Sequence, residues 1–131
     1  MIVFLRGLFL VVLGTMLAVT SWASAHGSVR AIPPDVLHHP WFLATLADTY
    51  WAFLTFFVWV AWKESTAAAG ALWLVAIVAL GNIAMSIYML RELFGVPVDG
   101  PVADVFTRRN PGRLGVPAVL AVLGVAAYWI A

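Results

Sequence analysis

The chain has 131 residues, the length of one domain. Hydrophobic residues make up 64% of it and charged residues only 10%, against roughly 45–50% and about 25% in soluble proteins, and the mean hydropathy is +1.01. This composition predicts an integral membrane protein. The formal net charge of +1 argues against a nucleic-acid partner, and the lack of cysteine excludes disulfides, thiolate metal sites and a cysteine nucleophile.

The first apolar run predicts a membrane helix over residues 2–24. Two interpretations compete for it. The basic start and the Ala23-Ser24-Ala25 sequence are typical of a signal peptide with a cleavage site. Gly7, Gly14 and Ser21, however, recur every seven residues and form a small-residue face, which lets membrane helices approach closely. A removed peptide needs no packing face, so we favour a retained helix.

Three further apolar runs predict membrane helices over residues 41–62, 68–90 and 114–131. The intervening residues 25–40 and 95–113 each contain three prolines, which exclude a regular helix through them. The expected fold is therefore an all-α integral membrane bundle of four antiparallel transmembrane helices, forming a single membrane domain over residues 1–131.

In such a bundle both termini and the short turn at Lys63 lie on one side of the membrane, and loops 25–40 and 95–113 lie on the other. The loop side carries more basic residues than the terminus side, where Arg6 and Lys63 lie. The positive-inside rule then places both loops in the cytoplasm. The loop-side basic residues are Arg30, Arg91, Arg108, Arg109 and Arg113.

Asp48 is an acid within the predicted second helix. An ionisable side chain in such a segment costs about 2.5–3.5 kcal/mol on insertion scales, which makes it a functional candidate. Counted from the loop side, Asp48, Asn82 and Thr15 lie at similar depths of about 12–14 Å. We therefore predict a buried cluster that binds a ligand or carries a proton, or else simply pins two helices together. The predicted cluster also includes Ser86, and Thr45 and Thr49 lie beside it.

Other polar residues predict contacts at the two membrane surfaces. Arg6 and Glu64 lie at the same side of antiparallel helices, which predicts an interfacial ion pair, unless Arg6 reaches lipid headgroups alone. In loop 95–113 an interfacial helical turn is expected, with its arginines on lipid headgroups. These arginines are Arg108, Arg109 and Arg113.

The three histidines lie at or near loop 25–40 and lack the spacing of a metal site. We therefore expect no metal and no cofactor.

Several sequence pieces in the first three helices resemble a small integral-membrane family of bacteria and plants, classed as a domain of unknown function (number fourteen seventy-five). That family usually has a tyrosine where this chain has Trp62. The resemblance implies a multi-helix membrane protein, emphasises Asp48, Tyr50 and the Lys63-Glu64 turn, and supplies no activity. We expect the protein to lie in the bacterial inner (plasma) membrane. The pieces are Ala44-Thr45-Leu46-x-Asp48-x-Tyr50, Trp59-Val60-Ala61-Trp62-Lys63-Glu64, Leu80-Gly81-Asn82-Ile83-Ala84 and Tyr88.

Three functions fit these features. The leading hypothesis is a small accessory or scaffold-like membrane protein that binds a partner protein or lipid and is not an enzyme. Its expected partners are the lipid bilayer and either further copies of the chain or a larger membrane complex. The first alternative is an oligomeric small-molecule or proton-coupled transporter that uses Asp48. The second is a membrane enzyme acting on a lipid or isoprenoid through Asp48, Tyr50 and His38 or His39.

Overall fold

The computed structural model describes residues 1–130, and the described chain is all-α, as predicted. Two of its helices, α1 and α3, are long and apolar enough to cross a membrane by length and composition. A 3₁₀ turn, Val29–Ala31, follows the first helix. The α-helices are α1 Ile2–His26, α2 Pro34–Leu37, α3 Pro40–Lys63, α4 Ala67–Leu80, α5 Asn82–Phe94, α6 Val102–Thr107 and α7 Gly115–Ile130.

The single helix expected over residues 68–90 is two helices in the structure, α4 and α5, which fold back on each other at Gly81. Gly81 has φ +53°, a conformation that side-chain-bearing residues rarely adopt, and a Cβ there would lie 2.6 Å from the Phe53 ring. The hairpin brings the rings of Trp73 and Tyr88 to 4.8 Å between centroids. Each arm is only about 20 Å long, roughly half of α3.

Because the hairpin returns to its starting level, four parts of the chain meet at one end of the molecule. The Arg6 side chain donates hydrogen bonds to the carbonyls of Leu93 (2.9 Å) and Val96 (2.8 Å), and the Asn110 backbone N–H donates to the Lys63 carbonyl (2.8 Å). The start of α1, the ends of α3 and α5, and residues 95–113 therefore form what we call the polar end.

The opposite end holds the connection between α1 and α3 and the end of α7. There the Arg30 side chain donates to the carbonyls of Tyr128 and Trp129, both at 3.2 Å. The expectation that loops 25–40 and 95–113 share one side, and that both termini share the other, is therefore wrong. The α4–α5 hairpin begins and ends at the polar end, whereas a single helix would have finished at the opposite end. Every segment after the hairpin therefore lies at the other end from the one expected.

The packing face of α1 also differs from the prediction. The side chains of α1 that are at least partly covered follow a helical stripe of large residues that includes Ile2, Leu5 and Phe9, and this stripe packs against Leu93 and its neighbours. Gly7 and Gly14 lie off the stripe, and a Cβ at either position would meet nothing within 4 Å. The small-residue face is therefore not used inside the chain.

Candidate functional site: a buried charge network at the polar end

Two basic–acidic pairs in the sequence meet at the polar end. Lys63 is the last residue of α3 and Glu64 caps it, while Arg91 and Glu92 occupy the last turn of α5. The α4–α5 hairpin returns α5 to the end of α3, so the two pairs face each other. The short turn after Glu64 is fixed by Thr66, whose hydroxyl accepts from the Ala69 N–H at 3.3 Å at the start of α4.

The four charges form two crossed ion pairs. Lys63 Nζ lies 2.7 Å from Glu92 Oε2, and the exposed fractions of these two side chains are 0% and 1%. Arg91 Nη2 lies 3.0 Å from Glu64 Oε1, and Arg91 Nε lies 3.5 Å from Glu92 Oε1. Lys63 also donates to the Val105 carbonyl of α6. The two positive and two negative charges balance each other, and only Arg91, whose side chain is 25% exposed, keeps contact with the surroundings.

Asn110 connects the two carboxylates. Its amide Nδ2 lies within hydrogen-bonding distance of Glu92 Oε1 (2.8 Å), Glu64 Oε1 (2.9 Å) and the Tyr88 hydroxyl (3.2 Å). The Tyr88 hydroxyl in turn donates to Glu64 Oε1 at 3.1 Å. Residues 108–113 are held against α3 by the Asn110 backbone as well, so this loop is an integral part of the network rather than a free connection.

Aromatic rings enclose the network on the side of the core. The Tyr88 ring contacts Trp59 and Trp73 edge-on, with centroids at 5.5 and 4.8 Å. Lys63 Nζ lies 5.2 Å from the Trp59 ring centroid, and the Arg91 guanidinium lies 5.6 Å from that of Trp73. These rings exclude water and add cation–π attraction to both cations.

Tyr88 lies outside the two candidate membrane spans, and its pKa is raised far above the usual value for a tyrosine. Burial is the largest cause, followed by the nearby negative charges of Glu64 and Glu92, while Arg91 opposes the shift. The hydroxyl therefore keeps its proton, as its role as a donor to Glu64 requires.

The network is suited to holding the fold in one arrangement. A buried ion pair adds little net stability over an apolar replacement, but removal of one partner leaves a buried charge and costs about 3–5 kcal/mol. Here four side chains from α3 and α5 and one from the loop must all be in place at once. We therefore infer that the network holds the α4–α5 hairpin in place against α3.

Beside the network lies an open cavity of about 300 Å³ with an unusual lining. Four arginines surround it, and the Glu92 and Asn110 side chains border it from the network. Arg108 donates to the Gly95 carbonyl, and the Arg109 guanidinium lies 5.3 Å from the Trp62 ring centroid. The four arginines are Arg91, Arg108, Arg109 and Arg113.

The model of the family described as Protein of unknown function (DUF1475) matches residues 1–110 of the chain. The chain belongs to this family. The resemblance of the sequence to this domain of unknown function is thereby confirmed. All residues of the charge network lie within the region matched by the family, whereas Arg113 and α7 lie beyond it. Neither a curated protein nor a solved structure matches the chain.

For this member of the family, the structure does not bring together the polar cluster expected around Asp48. Asp48 and Asn82 are exposed, and neither forms a hydrogen bond or ion pair within the described residues 1–130. The Thr15 hydroxyl is exposed and donates to the Val11 carbonyl of its own helix at 2.8 Å. Equal depth along three helices was the basis of the prediction, but these side chains do not point towards a common centre.

The residues expected beside that cluster are also separate from one another. The Thr45 and Thr49 hydroxyls donate to carbonyls of α3 itself, at 2.8 Å each. The Tyr50 ring is partly exposed and contacts Phe53 edge-on. Ser86 is buried in α5.

The predicted surface contacts change partners. Arg6 and Glu64 both lie at the polar end but do not pair, since Arg6 binds the carbonyls after α5 and Glu64 binds Arg91, Tyr88 and Asn110. Arg6 also lies over the Phe94 ring, 4.6 Å from its centroid. The helical turn expected within residues 95–113 is present as α6.

Sequence reasoning missed Glu92, Asn110 and the pairing role of Lys63. These residues lie at helix ends or in a loop, where charged side chains usually face water. One signal was available, because Lys63-Glu64 and Arg91-Glu92 repeat the same basic–acidic order at the two ends of the third apolar run. A chain that folds back within that run brings the two pairs together.

Proposed function

We propose that the chain is a small multi-pass protein of the bacterial inner membrane, an accessory protein that binds a partner membrane protein through one face of α3. The length and apolar character of α1 and α3 support insertion. The charge network supports a structural role for the polar end, which holds α3 and the hairpin in a fixed arrangement.

The observation that carries this proposal is the position of Asp48. It lies eight residues after Pro40, about 12 Å along α3, with its side chain exposed. A carboxyl group facing lipid at this depth is costly, whereas a neighbouring helix that donates a hydrogen bond removes much of the cost. An exposed helical stripe continues from it and forms what we call the outer face of α3: Asp48, Trp51, Thr55, Val58 and Trp62.

The proposal is tested by photo-crosslinking in intact membranes. Benzoylphenylalanine replaces Trp51 on the outer face of α3 or, as a control, the exposed Val122 of α7. We expect a discrete crosslinked product from position 51, and we expect Asp48→Leu to abolish it without changing the amount of protein in the membrane. A product of twice the chain mass identifies the partner as a second copy. A product that persists with Asp48→Leu contradicts the proposal.

The carrier and enzyme alternatives also depend on Asp48, but they need its ionisable proton. Asp48→Asn separates them from partner binding, because the amide keeps a hydrogen-bonding group and loses the titrating proton. Retention of the crosslink in Asp48→Asn supports the accessory role. A carrier would instead lose proton release upon substrate addition in this variant.

For orientation, we propose that the polar end lies in the cytoplasm. It carries six basic side chains, whereas the opposite end carries Arg30, and the positive-inside rule places the richer side inside. Loop 95–113 is then cytoplasmic, as expected from the sequence, and residues 27–39 are not. A reporter fused after α7 should accordingly be active outside the cytoplasm, and a cytoplasmic reporter signal contradicts this orientation.

A further inference from the structure

We propose that the four-arginine cavity at the polar end binds a phosphomonoester group, carried by a membrane lipid or by a soluble phosphate compound. This site does not depend on the partner-binding role proposed for α3. The cavity lies at the polar end, and Asp48 lies about 22 Å along α3 from Lys63, the last residue of that helix.

The charge balance around the cavity favours an anionic ligand. Glu64 and Glu92 are the carboxylates of the network, and Lys63 and Arg91 already balance them. The other three arginines of the cavity form no ion pair with any carboxylate within residues 1–130. An excess of about three positive charges therefore surrounds a space of about 300 Å³. These three residues are Arg108, Arg109 and Arg113.

The arginine side chains also supply hydrogen-bond donors for a phosphate. A guanidinium carries five N–H donors in a planar fork that matches two oxygens of a phosphate. Arg108 donates one hydrogen bond to the Gly95 carbonyl, and the Arg109 guanidinium lies near the Trp62 ring. Each side chain therefore retains N–H donors for an anion. Arg91 is held by Glu64 and Glu92 at the edge of the cavity, which fixes its position.

The number of unpaired arginines favours a phosphate monoester over a diester. A terminal phosphate carries about −1.5 to −2 charges near neutral pH and three acceptor oxygens, whereas a phosphodiester carries one charge. Three unpaired arginines match the dianion better. Glu92 borders the cavity, but its charge is neutralised by Lys63 at 2.7 Å and it accepts from Asn110, so it does not repel the anion as a free carboxylate would.

Exposed aromatic rings next to the arginines favour a lipid as the source of the phosphate. Trp62 and Phe106 are about half exposed at this end, and aromatic rings prefer the level of lipid headgroups. A lipid with a terminal phosphate places its charged group at the same level, whereas a soluble phosphate has no contact with these rings.

The test measures lipid binding by the full-length protein in nanodiscs. Discs contain phosphatidylcholine with phosphatidic acid, a monoester, or with the same fraction of phosphatidylglycerol, an anionic diester. We expect phosphatidic acid to be enriched around the protein relative to phosphatidylglycerol. Arg109→Gln with Arg113→Gln should weaken phosphatidic acid binding by about 20- to 30-fold, the effect of two arginines at an anionic surface. Both side chains are exposed, so the charge network stays intact.

Two control variants separate a shaped site from a charged surface. Arg109→Lys with Arg113→Lys keeps the charge but loses the fork, so the preference for the monoester should fall while binding to anionic lipid persists. Arg30→Gln removes a charge at the opposite end and should change nothing. Equal binding of the two anionic lipids by the wild type, or an unchanged preference in the lysine variant, overturns the proposal.

A soluble arm identifies the source of the group. Inorganic phosphate is titrated against the protein in phosphatidylcholine discs and in competition with phosphatidic acid. Binding of phosphatidic acid with weak competition by phosphate identifies a lipid ligand. Saturable binding of phosphate without enrichment of phosphatidic acid identifies a soluble ligand, provided that the glutamine variant abolishes it, and phosphate binding that survives in this variant counts against the site.

Discussion

The polar end and the outer face of α3 differ in the burial and the pairing of their charged side chains. At the polar end, Lys63, Glu64 and Glu92 are covered almost completely and Arg91 is one quarter exposed (25%), and each is paired with an opposite charge inside the chain. On the outer face, Asp48 is exposed and has no polar partner within residues 1–130. A charge that is satisfied internally serves the fold, whereas a charge left unsatisfied on an apolar surface needs something outside the chain. The polar end therefore serves stability, and the outer face of α3 is where we propose that a partner binds.

The largest effect on stability is expected from the removal of one charge from the network. Lys63→Met removes the closer cation of the buried Glu92 and leaves only the longer contact with Arg91 at 3.5 Å, so we expect a loss of about 3–5 kcal/mol in the free energy of unfolding. The double variant Lys63→Met, Glu92→Met removes both charges and should recover most of that loss. Thermal unfolding in mild detergent, followed by tryptophan fluorescence, measures both. A double variant as unstable as the single one contradicts the inference that the paired charges of the network hold the hairpin against α3.

Asp48→Met, on the outer face of α3, is the matched control for the Lys63→Met variant. Because Asp48 has no partner within the described chain, its removal should change stability in detergent by no more than about 0.5 kcal/mol. A loss as large as that of Lys63→Met would show that Asp48 has a structural partner, and the contrast between the two regions would not hold.

The sequence was sufficient for the helical class, for α1 and α3, and for the family. Each of these depends on long apolar runs or on local sequence pieces, which keep their meaning wherever the helices lie in space. The hairpin could not be deduced in the same way, because hydropathy stays high across residues 68–90. Gly81 alone permits the backbone reversal, and a glycine within an apolar run is common enough in membrane helices to pass unnoticed.

The centre of the molecule was predicted at Asp48 because an acid within an apolar run is conspicuous. The observed network instead uses charged residues at the ends of runs, where a charge usually means solvent or lipid headgroups. The difference is entirely one of tertiary placement: once α5 returns to the level of Lys63, Glu64 and Glu92 are covered by the loop that carries Asn110. The arginines of this loop were predicted individually, whereas their convergence on one cavity with Arg91 required the hairpin.

A smaller effect is expected from a change at the turn that makes the network possible. Gly81→Ala places a methyl group in a left-handed conformation and 2.6 Å from the Phe53 ring, so we expect a loss of about 1–3 kcal/mol. Gly14→Ala in α1 is the control, because a Cβ there meets nothing and alanine favours a helix by about 0.5–1 kcal/mol. Equal unfolding temperatures for the two variants would contradict the tight turn at Gly81.

The smallest effect tests a single hydrogen bond of the network. Tyr88→Phe removes the hydroxyl that donates to Glu64 and should cost about 1.5 kcal/mol at neutral pH. Tyr128→Phe is the control at the opposite end, where the residue is half exposed and its partner is the Tyr50 side chain rather than a carboxylate, so about 0.5 kcal/mol or less is expected. Similar losses in both variants would mean that the charged acceptor adds nothing.

The stability difference between the wild type and Tyr88→Phe should also depend on pH. The pKa of Tyr88 is raised in the folded protein, chiefly by burial and then by Glu64 and Glu92, whereas the unfolded chain ionises near pH 10. Above that pH the unfolded state binds fewer protons than the folded state, so the stability of the wild type falls as pH rises. Phenylalanine cannot ionise, and the difference between the wild type and Tyr88→Phe should therefore shrink above about pH 10. A constant difference up to pH 11 would place the hydroxyl in contact with solvent.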